Sequence, residues 1–304
     1  KRFDSELFVF KDKGWQKVNE DELQGLISKM IQVLLVDYKP SLSILKNVVV
    51  GLQNSIDVEE LVENKQYIGC GHNMFNLDAF EVVGNSIKIF PATRLNLELV
   101  KSDVITEKTP PHFNRYMLEF ANFDSDLQYF LFQHIAVLLT ANTKYRRALL
   151  LYGGAKNGKS VFINLVRSFF YSEDIVSKAL NELQGRFDKE SLVGKKLMAS
   201  DEIGESRIQE KIVNDLKKLV SVEPVHVDRK GKTQVETTLD LKLAFGTNAR
   251  LNFPSAHAKA LERRIAVIPC EYYVEKADPD LIEKLQDEKK EIFLYLMYVY
   301  KQIV

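Results

Sequence analysis

The chain of 304 residues has few cysteines, no long uninterrupted apolar run, no internal repeat and no net charge. Cys70 and Cys270 are too few for a disulfide framework, so we expect a reducing compartment. The longest apolar stretch, residues 127–141, is interrupted by Gln133 and His134 and is too short to span a bilayer. No secretory signal is visible at the start, and the opening Lys1 suggests a fragment of a longer protein. These absences disfavour a secreted or membrane-spanning protein and favour a cytoplasmic one.

The zero net charge hides an uneven distribution of charge along the chain. Residues 1–110 carry 13 basic and 16 acidic side chains, residues 144–270 carry 23 and 15, and residues 271–304 carry 5 and 8. The middle segment therefore has a surplus of eight basic groups (23 − 15). Such a surplus indicates a polyanionic partner, although an ordinary solvated surface explains the charge equally well.

The pattern of apolar residues predicts an α/β fold with a smaller α+β domain in front. Residues 7–15 and 82–91 are typical of hairpins, and residues 20–35 and 42–53 are typical of helices. Pro110 and Pro111 cannot continue a helix, so we place a domain boundary there. Apolar runs that alternate with helices predict a mostly parallel sheet with strands at residues 148–152, 196–200, 241–246 and 265–268. The predicted parts are an N-terminal α+β domain (1–110), a helical segment (111–145), the core (146–270) and a C-terminal helical segment (271–304).

A phosphate-binding loop is predicted directly after the first core strand. The pattern G-x-x-x-x-G-K-[ST] is matched by Gly153, Gly154, Ala155, Lys156, Asn157, Gly158, Lys159 and Ser160. A predicted strand precedes the motif and a predicted helix follows it, which is the context that the motif requires. Backbone N–H groups would surround a polyphosphate, Lys159 would reach its outer phosphates, and Ser160 would bind Mg²⁺. The motif therefore predicts a nucleoside triphosphate site, with a chance match in a glycine turn as the alternative.

Two further core strands end in residues that suit phosphoryl transfer. Asp201 and Glu202 follow one strand, and we assign Asp201 to the metal and Glu202 to the attacking water, with the reverse assignment left open. Asn248 follows the next strand, where its amide would bind the γ-phosphate and the water. Because ligands of parallel sheets bind at the carboxyl ends of strands, we expect these residues to lie in one crevice with the phosphate loop. An exposed acidic turn and a turn-forming Asn are the structural alternatives.

Two groups of basic residues complete the pattern. Arg263 and Arg264 precede the last core strand, and one of them would stabilise charge on the γ-phosphate of a neighbouring subunit; a surface salt bridge is the alternative. Residues 224–235 predict a β-hairpin with Arg229, Lys230 and Lys232 at or beside its tip. These cations suit a phosphate backbone held without base readout, although a solubilising edge has the same composition.

Together these residues resemble a superfamily 3 helicase of the AAA+ class, and in particular the helicase part of poxvirus, phage and plasmid primase–helicases. The resemblance extends through residues 216–220, 246–248 and 263–269, and it covers most of the chain. It departs from the family pattern at residues 256–258, where an Asp is common, and at Cys270, where an aromatic residue is common.

The resemblance implies a hexameric ring in the interior of a host cell. ATP and Mg²⁺ would bind between subunits, and single-stranded DNA would thread the channel past the hairpins. It also implies a primase domain or a loading factor as a further partner, and a role in replication of a mobile element, virus or plasmid. Lys217 or Lys218 would relay the nucleotide state to the hairpin or reach the γ-phosphate. The alternatives are an AAA+ loader or protein remodeller, and a nucleotide-gated scaffold without hydrolysis.

Overall fold

The computed structural model describes residues 2–3, 6–11, 14–34, 41, 43–48, 63–86, 88–183, 185, 188–201, 208–229, 232–249 and 251–304. Contacts divide the chain into two compact units. The smaller unit consists of Lys1–Asn64 and Asn85–Phe90, and the larger unit consists of Lys65–Gly84 and Pro91–Val304.

The smaller unit contains a three-stranded antiparallel sheet and a helix. The sheet has the order β1 (Arg2–Phe3), β2 (Glu6–Lys11) and β3 (Gly14–Val18), which confirms the hairpin predicted near Trp15. Helix α1 (Glu20–Leu34) confirms the first predicted helix. It begins with a capping box, because the side chains of Asn19 and Glu22 each accept the other's backbone N–H at 2.8 Å. Residues 43–48 are also helical, and the rest of the predicted helix 42–53 lies outside the described residues.

A four-stranded sheet comes next along the chain, with the order β6-β5-β4-β7. Its strands are β4 (Glu63–Cys70), β5 (Asn73–Asn76), β6 (Glu81–Gly84) and β7 (Phe90–Leu95). The hairpin predicted over residues 82–91 is therefore wrong, because β6 pairs with β5 and not with β7. The turn between β5 and β6 is fixed locally, since the Asn76 side chain accepts the N–H of Asp78 at 2.9 Å.

The contacts also place residues 65–84 and 91–110 in the larger unit, which differs from the boundary expected at Pro110. The physical reason is a shared core: Phe75 of β5 packs edge-on against Phe293, with ring centroids 5.4 Å apart. Pro111 begins helix α2 and does not interrupt it, because the first turn of a helix does not need the N–H that proline lacks.

The remaining elements form a layered α/β structure. The helices are α2 (Pro111–Phe120), α3 (Ser125–Leu138), α4 (Lys159–Ser168), α5 (Glu210–Ser221), α6 (Ala258–Glu262), α7 (Leu281–Asp287) and α8 (Lys289–Lys301). The strands are β8 (Ala148–Tyr152), β9 (Ile175–Val176), β10 (Leu197–Ser200), β11 (Pro224–Arg229), β12 (Lys232–Thr238), β13 (Lys242–Thr247) and β14 (Ile265–Pro269). Short 3-10 turns lie at Ser172–Asp174, Leu180–Leu183, Asp188–Leu192 and Ser255–His257. No helix in the described part of the chain combines the length and apolar character that crossing a bilayer requires.

Five of these strands form one sheet in the order β14-β8-β13-β10-β9, and every neighbouring pair is parallel. This confirms the predicted parallel sheet and adds β9, a strand of two residues that the sequence pattern does not reveal. Both faces of the sheet are covered. In β8, Leu149 and Leu151 join the core with helices α2, α3, α4, α7 and α8, whereas Ala148 and Leu150 join the core with α5 and β11. Burial on both faces explains why the strands are continuous apolar runs.

Candidate nucleotide-binding site

The predicted phosphate loop lies between β8 and α4, as the sequence pattern requires. Gly158 has φ 78° and caps α4 in a left-handed conformation that favours glycine. Gly153 is confined by packing, because a side chain there would collide with the carbonyl of Cys270. Gly154 has more room, since the nearest atom to an added Cβ is the Asn157 Oδ1 at 3.6 Å. Two of the three loop glycines are thus required by geometry.

Lys159 lies inside the phosphate loop. Its Nζ donates to the carbonyl oxygen of Gly153 at 2.8 Å and to that of Gly154, and the residue is only 6% exposed. Burial lowers the pKa of Lys159, because the charged form loses hydration. The neighbouring thiol adds no negative charge, since burial raises the pKa of Cys270 to about 12. The loop therefore holds an ammonium group whose described hydrogen bonds go to backbone carbonyls and not to a carboxylate.

Neighbouring segments hold the phosphate loop from two sides. The Asn157 Nδ2 donates to the carbonyls of Cys270 and Tyr272 at 2.8 and 3.0 Å, just beyond β14. On the other side, the Tyr116 hydroxyl of α2 donates to the Gly158 carbonyl at 3.0 Å. Burial raises the pKa of Tyr116, so this hydroxyl stays protonated and remains a donor. These bonds fix the conformation of the loop through contacts within the chain.

A cavity of about 730 Å³ opens above the loop and brings most of the predicted site residues together. One side is formed by the loop and by the ends of two strands: Ala155, Lys156, Asn157, Gly158, Lys159, Ser160, Val161, Asp201 and Asn248. The opposite side is formed by α2 and by the segment after β14: His112, Arg115, Tyr116, Glu119, Phe120, Tyr272, Val274, Glu275, Lys276, Ala277, Asp278 and Leu281. This second wall was missed at the sequence level, although the aromatic pair Tyr116 and Phe120, four residues apart on one helix face, is a signal that could have found it.

Asp201 and Asn248 reach the cavity because their strands are parallel to β8. Asp201 follows β10 and Asn248 follows β13, and both side chains are exposed. The close packing depends on Gly246 of β13, since a Cβ there would lie 2.9 Å from the backbone oxygen of Asp201. Ser160 and Asp201 supply a hydroxyl and a carboxylate, the hard oxygen ligands that suit Mg²⁺. No group of three or more His, Cys, Asp or Glu side chains in the described ranges is placed to hold a metal by itself. Glu202, the predicted residue for the attacking water, lies outside the described residues.

The arginine pair does not line this cavity. β14 runs parallel to β8, with Ile265 opposite Ala148 and Pro269 opposite Tyr152. Arg263 and Arg264 therefore lie at the edge of the sheet where the parallel strands begin, which we call the amino edge. The phosphate loop lies at the carboxyl edge, about 16 Å away for a five-residue strand. Within one chain, the pair and the loop are therefore at opposite edges.

The basic hairpin predicted between α5 and β13 is confirmed. β11 and β12 are antiparallel, from Pro224 opposite Thr238 to Arg229 opposite Lys232. The hairpin root, where β11 begins at Pro224 and β12 ends at Thr238, lies at the amino edge of the sheet, because β13 begins only a few residues after β12 ends. Val225 and Val227 are buried in the core beneath. Lys230 at the tip lies outside the described residues, as do the side chains of Arg229 and Lys232.

Lys217, one of the two proposed relay lysines, faces a histidine. Its Nζ lies 3.3 Å from the Nδ1 of His257, whose Nε2 lies 3.1 Å from a carboxylate oxygen of Glu210. These contacts join α5 to the segment before α6. Lys218 is half-buried in the last turn of α5.

Comparison with known proteins supports the fold and leaves the activity open. Residues 151–264 match a family described as a family of unknown function, DUF5906; the matched range includes the phosphate loop, β9, β10, β13 and the hairpin, and it ends before β14. No curated protein matches the chain. Three apo structures of the NrS-1 C-terminal region are similar in fold, with TM-scores of 0.58, 0.59 and 0.56 at 13% sequence identity. The matches cover 96%, 99% and 96% of this chain, which spans 64%, 67% and 63% of those chains.

Proposed function

We propose that this chain is the ATPase core of a superfamily 3 helicase of the AAA+ class, which unwinds DNA during replication of a mobile element, virus or plasmid. The observation that carries the proposal is a cavity lined both by the phosphate loop and by Asp201 and Asn248, which follow two parallel strands. Its volume of about 730 Å³ is in the range of small-molecule sites.

The two walls of the cavity suit the two ends of a nucleotide. On the phosphate side, the backbone N–H groups at the start of α4 and the ammonium of Lys159 bind the triphosphate. Ser160 and Asp201 would hold Mg²⁺, which supplies positive charge to the phosphoryl group in the transition state. On the other side, Tyr116, Phe120 and Tyr272 offer apolar surface for a base and a ribose.

The chain's own residues divide the remaining chemistry. Glu202 accepts the proton of the attacking water, and Asn248 orients that water and the γ-phosphate. A guanidinium of the Arg263–Arg264 pair must come from another copy, because the pair lies at the opposite edge of the sheet from its own loop. A ring of identical subunits, closed head to tail, supplies that arrangement, and a hexamer is the form that the resemblance implies.

The basic hairpin supplies the contact with DNA. Arg229, Lys230 and Lys232 stand at or beside its tip and would bind the phosphate backbone of a single strand without reading its sequence. Hydrolysis moves the hairpins in turn and draws the strand through the ring.

The test compares ATP hydrolysis with and without an unstructured single-stranded oligonucleotide, for the native chain and for Glu202→Gln. The proposal expects hydrolysis that DNA stimulates and that the substitution abolishes. Hydrolysis that DNA does not stimulate would support ATPase activity but not helicase activity, and it would favour a loader or protein remodeller. No hydrolysis in either condition would leave only a nucleotide-binding scaffold.

A further inference from the structure

Consecutive arginines at the amino edge of the sheet have different surroundings. Arg264 is half-buried, and its Nε donates to the Ser221 hydroxyl oxygen at 3.1 Å while its Nη1 donates to the Ala260 carbonyl at 3.1 Å. Its backbone is fixed as well, because its N–H donates to Leu261 and its carbonyl accepts from Ala148, both at 2.8 Å. The guanidinium of Arg264 is therefore held between α5 and α6, and its backbone is held at the start of β8.

Arg263 is exposed, and its side chain makes no hydrogen bond or ion pair with any residue that the structure describes. It follows α6 directly, and the neighbouring Arg264 anchors its backbone. Of the two guanidinium groups, that of Arg263 is the one available to a phosphate on another copy. That of Arg264 would have to give up two hydrogen bonds to reach one.

Ser221, the hydrogen-bond partner of Arg264, lies next to the root of the basic hairpin. Ser221 is the last residue of α5, and the first hairpin strand begins three residues later at Pro224. The chain between them turns sharply, since Val222 has φ 54°, a left-handed conformation that is strained for a β-branched residue. Such strain persists only where neighbouring contacts hold it. The backbone bonds from Val222 to Leu219 and from Glu223 to Lys218 are two of these contacts, and the Arg264–Ser221 bond is a third.

We infer that Arg264 is a positioning residue that couples the hairpin to the arginine pair, and that Arg263 alone contacts the neighbour's γ-phosphate. This inference rests on the proposed function and assigns separate tasks to the two arginines. When Arg263 moves with the phosphate of the adjacent subunit, the next residue moves with it. The Arg264–Ser221 bond then carries the displacement to the end of α5 and to the hairpin root.

The experiment measures the ratio of ATP hydrolysis with and without single-stranded DNA, together with KM for ATP. Ser221→Ala removes only the hydroxyl at the hairpin root. We expect this variant to keep basal hydrolysis and KM, and to lose about fivefold or more of the DNA stimulation, the lower end of ordinary coupling between sites. Ser221→Thr keeps an accepting oxygen and should restore the stimulation. Arg264→Ala should lose as much stimulation as Ser221→Ala, and the double variant should lose no more than either. Arg263→Ala should lose hydrolysis in both conditions.

Three outcomes would overturn the inference. Native-like stimulation in Ser221→Ala would show that the bond carries no coupling. Additive losses in the double variant would show that Arg264 and Ser221 act independently. Loss of basal hydrolysis on Arg264→Ala, with Arg263→Ala active, would make Arg264 the residue on the phosphate. Failure of the proposed function is a different result, in which the native chain itself shows no stimulation by DNA. If Arg264→Ala does not fold, the Ser221 pair of variants decides the question.

Discussion

The two edges of the five-stranded sheet differ in what their charged residues contact. At the carboxyl edge, the hydrogen bonds of Lys159 within the described residues go to backbone carbonyls, and Asp201 is exposed beside a cavity. At the amino edge, Arg146 and Asp240 form a buried ion pair at 2.6 Å, and Arg264 is bonded across two elements. The comparison separates charges that lie beside a cavity from charges that bind other parts of the chain.

The separation of the edges also bears on assembly. The phosphate loop and Arg263 are about one strand length apart in the same chain. A phosphoryl-transfer site that needs both groups is complete only where the carboxyl edge of one copy meets the amino edge of another. The hairpin root lies at this same amino edge, so the proposed nucleotide contact and the proposed DNA contact would be neighbours there.

The first and largest expected effect tests the charge at the carboxyl edge. Lys159→Ala should reduce ATP hydrolysis by about a thousandfold, ~4 kcal/mol of transition-state stabilisation, because it removes the cation that the proposed function assigns to the transferred phosphoryl group. Steady-state hydrolysis measures the loss. Lys301→Ala, an exposed lysine at the end of α8 that does not line the cavity, is the matched control and should be unchanged. Equal activity of the two variants would show that Lys159 does not contribute to ATP hydrolysis.

The second prediction tests the buried pair at the amino edge. Asp240→Asn should lower the free energy of unfolding by about 3 kcal/mol, because the Arg146 guanidinium, with 2% of its side chain exposed, would lose its counter-charge. Chemical denaturation measures the change. Glu119→Gln, in an exposed pair with Arg115, should change it by less than about 0.5 kcal/mol. Similar effects at both positions would contradict the assignment of the amino-edge charge to structure.

The same pair predicts a pH dependence of stability. Burial alone would raise the pKa of Asp240, but Lys242, Arg146 and Lys196 outweigh it and lower the pKa to about 2. Because the folded pKa is below that of the unfolded chain, the stabilisation is present above about pH 4 and is lost as the pH falls towards 2. We expect a loss of about 2 kcal/mol over this range, absent from Asp240→Asn. Parallel pH profiles of the two proteins would contradict it.

The third prediction compares two glycines within the phosphate loop. Gly153→Ala should destabilise the fold by about 2 kcal/mol, because the new methyl group meets the carbonyl of Cys270. Gly154→Ala should change stability by less than about 0.5 kcal/mol, since its nearest contact is at 3.6 Å. Thermal unfolding without nucleotide measures both. A larger loss of stability in Gly154→Ala than in Gly153→Ala would show that Gly153 does not pack against Cys270, the residue after β14.

The smallest expected effect is at the hairpin. Lys230→Ala should weaken binding of single-stranded DNA by about fivefold. It should also reduce the slope of log Kd against log salt concentration by about one, which corresponds to the loss of one phosphate contact. Gln234→Ala, an exposed neutral residue of β12, is the control. Binding curves at several salt concentrations measure both variants. Unchanged binding and salt dependence in Lys230→Ala would remove the hairpin from the DNA contact.

Much of the fold was predictable because the core strands are buried on both faces and appear as apolar runs. β8, β10, β13 and β14 follow from such runs, and their parallel order brings Asp201 and Asn248 to the cavity. β9 has only two residues and leaves no pattern. The hairpin predicted at residues 82–91 failed for another reason, since alternation shows that a segment is a strand but not which strand it pairs with.

The site was predictable on the phosphate side and not on the other. The loop motif fixes spacing and residue types, so the sequence places it directly. The wall formed by Tyr116, Phe120 and Tyr272 depends on how α2 packs against the loop, which is a long-range contact. The distinction between Arg263 and Arg264 likewise depends on Ser221, more than 40 positions away in the chain.

The central claim, that the two edges act across neighbouring copies, is tested most directly by mixing two inactive variants. Lys159→Ala keeps the arginine pair but lacks the loop cation, and Arg263→Ala keeps the loop but lacks the proposed γ-phosphate contact. If a subunit completes its neighbour's site, the mixture should hydrolyse ATP well above the sum of the separate variants. Hydrolysis no greater than that sum, from a mixture shown to co-assemble, would place both groups in the same copy and contradict the account.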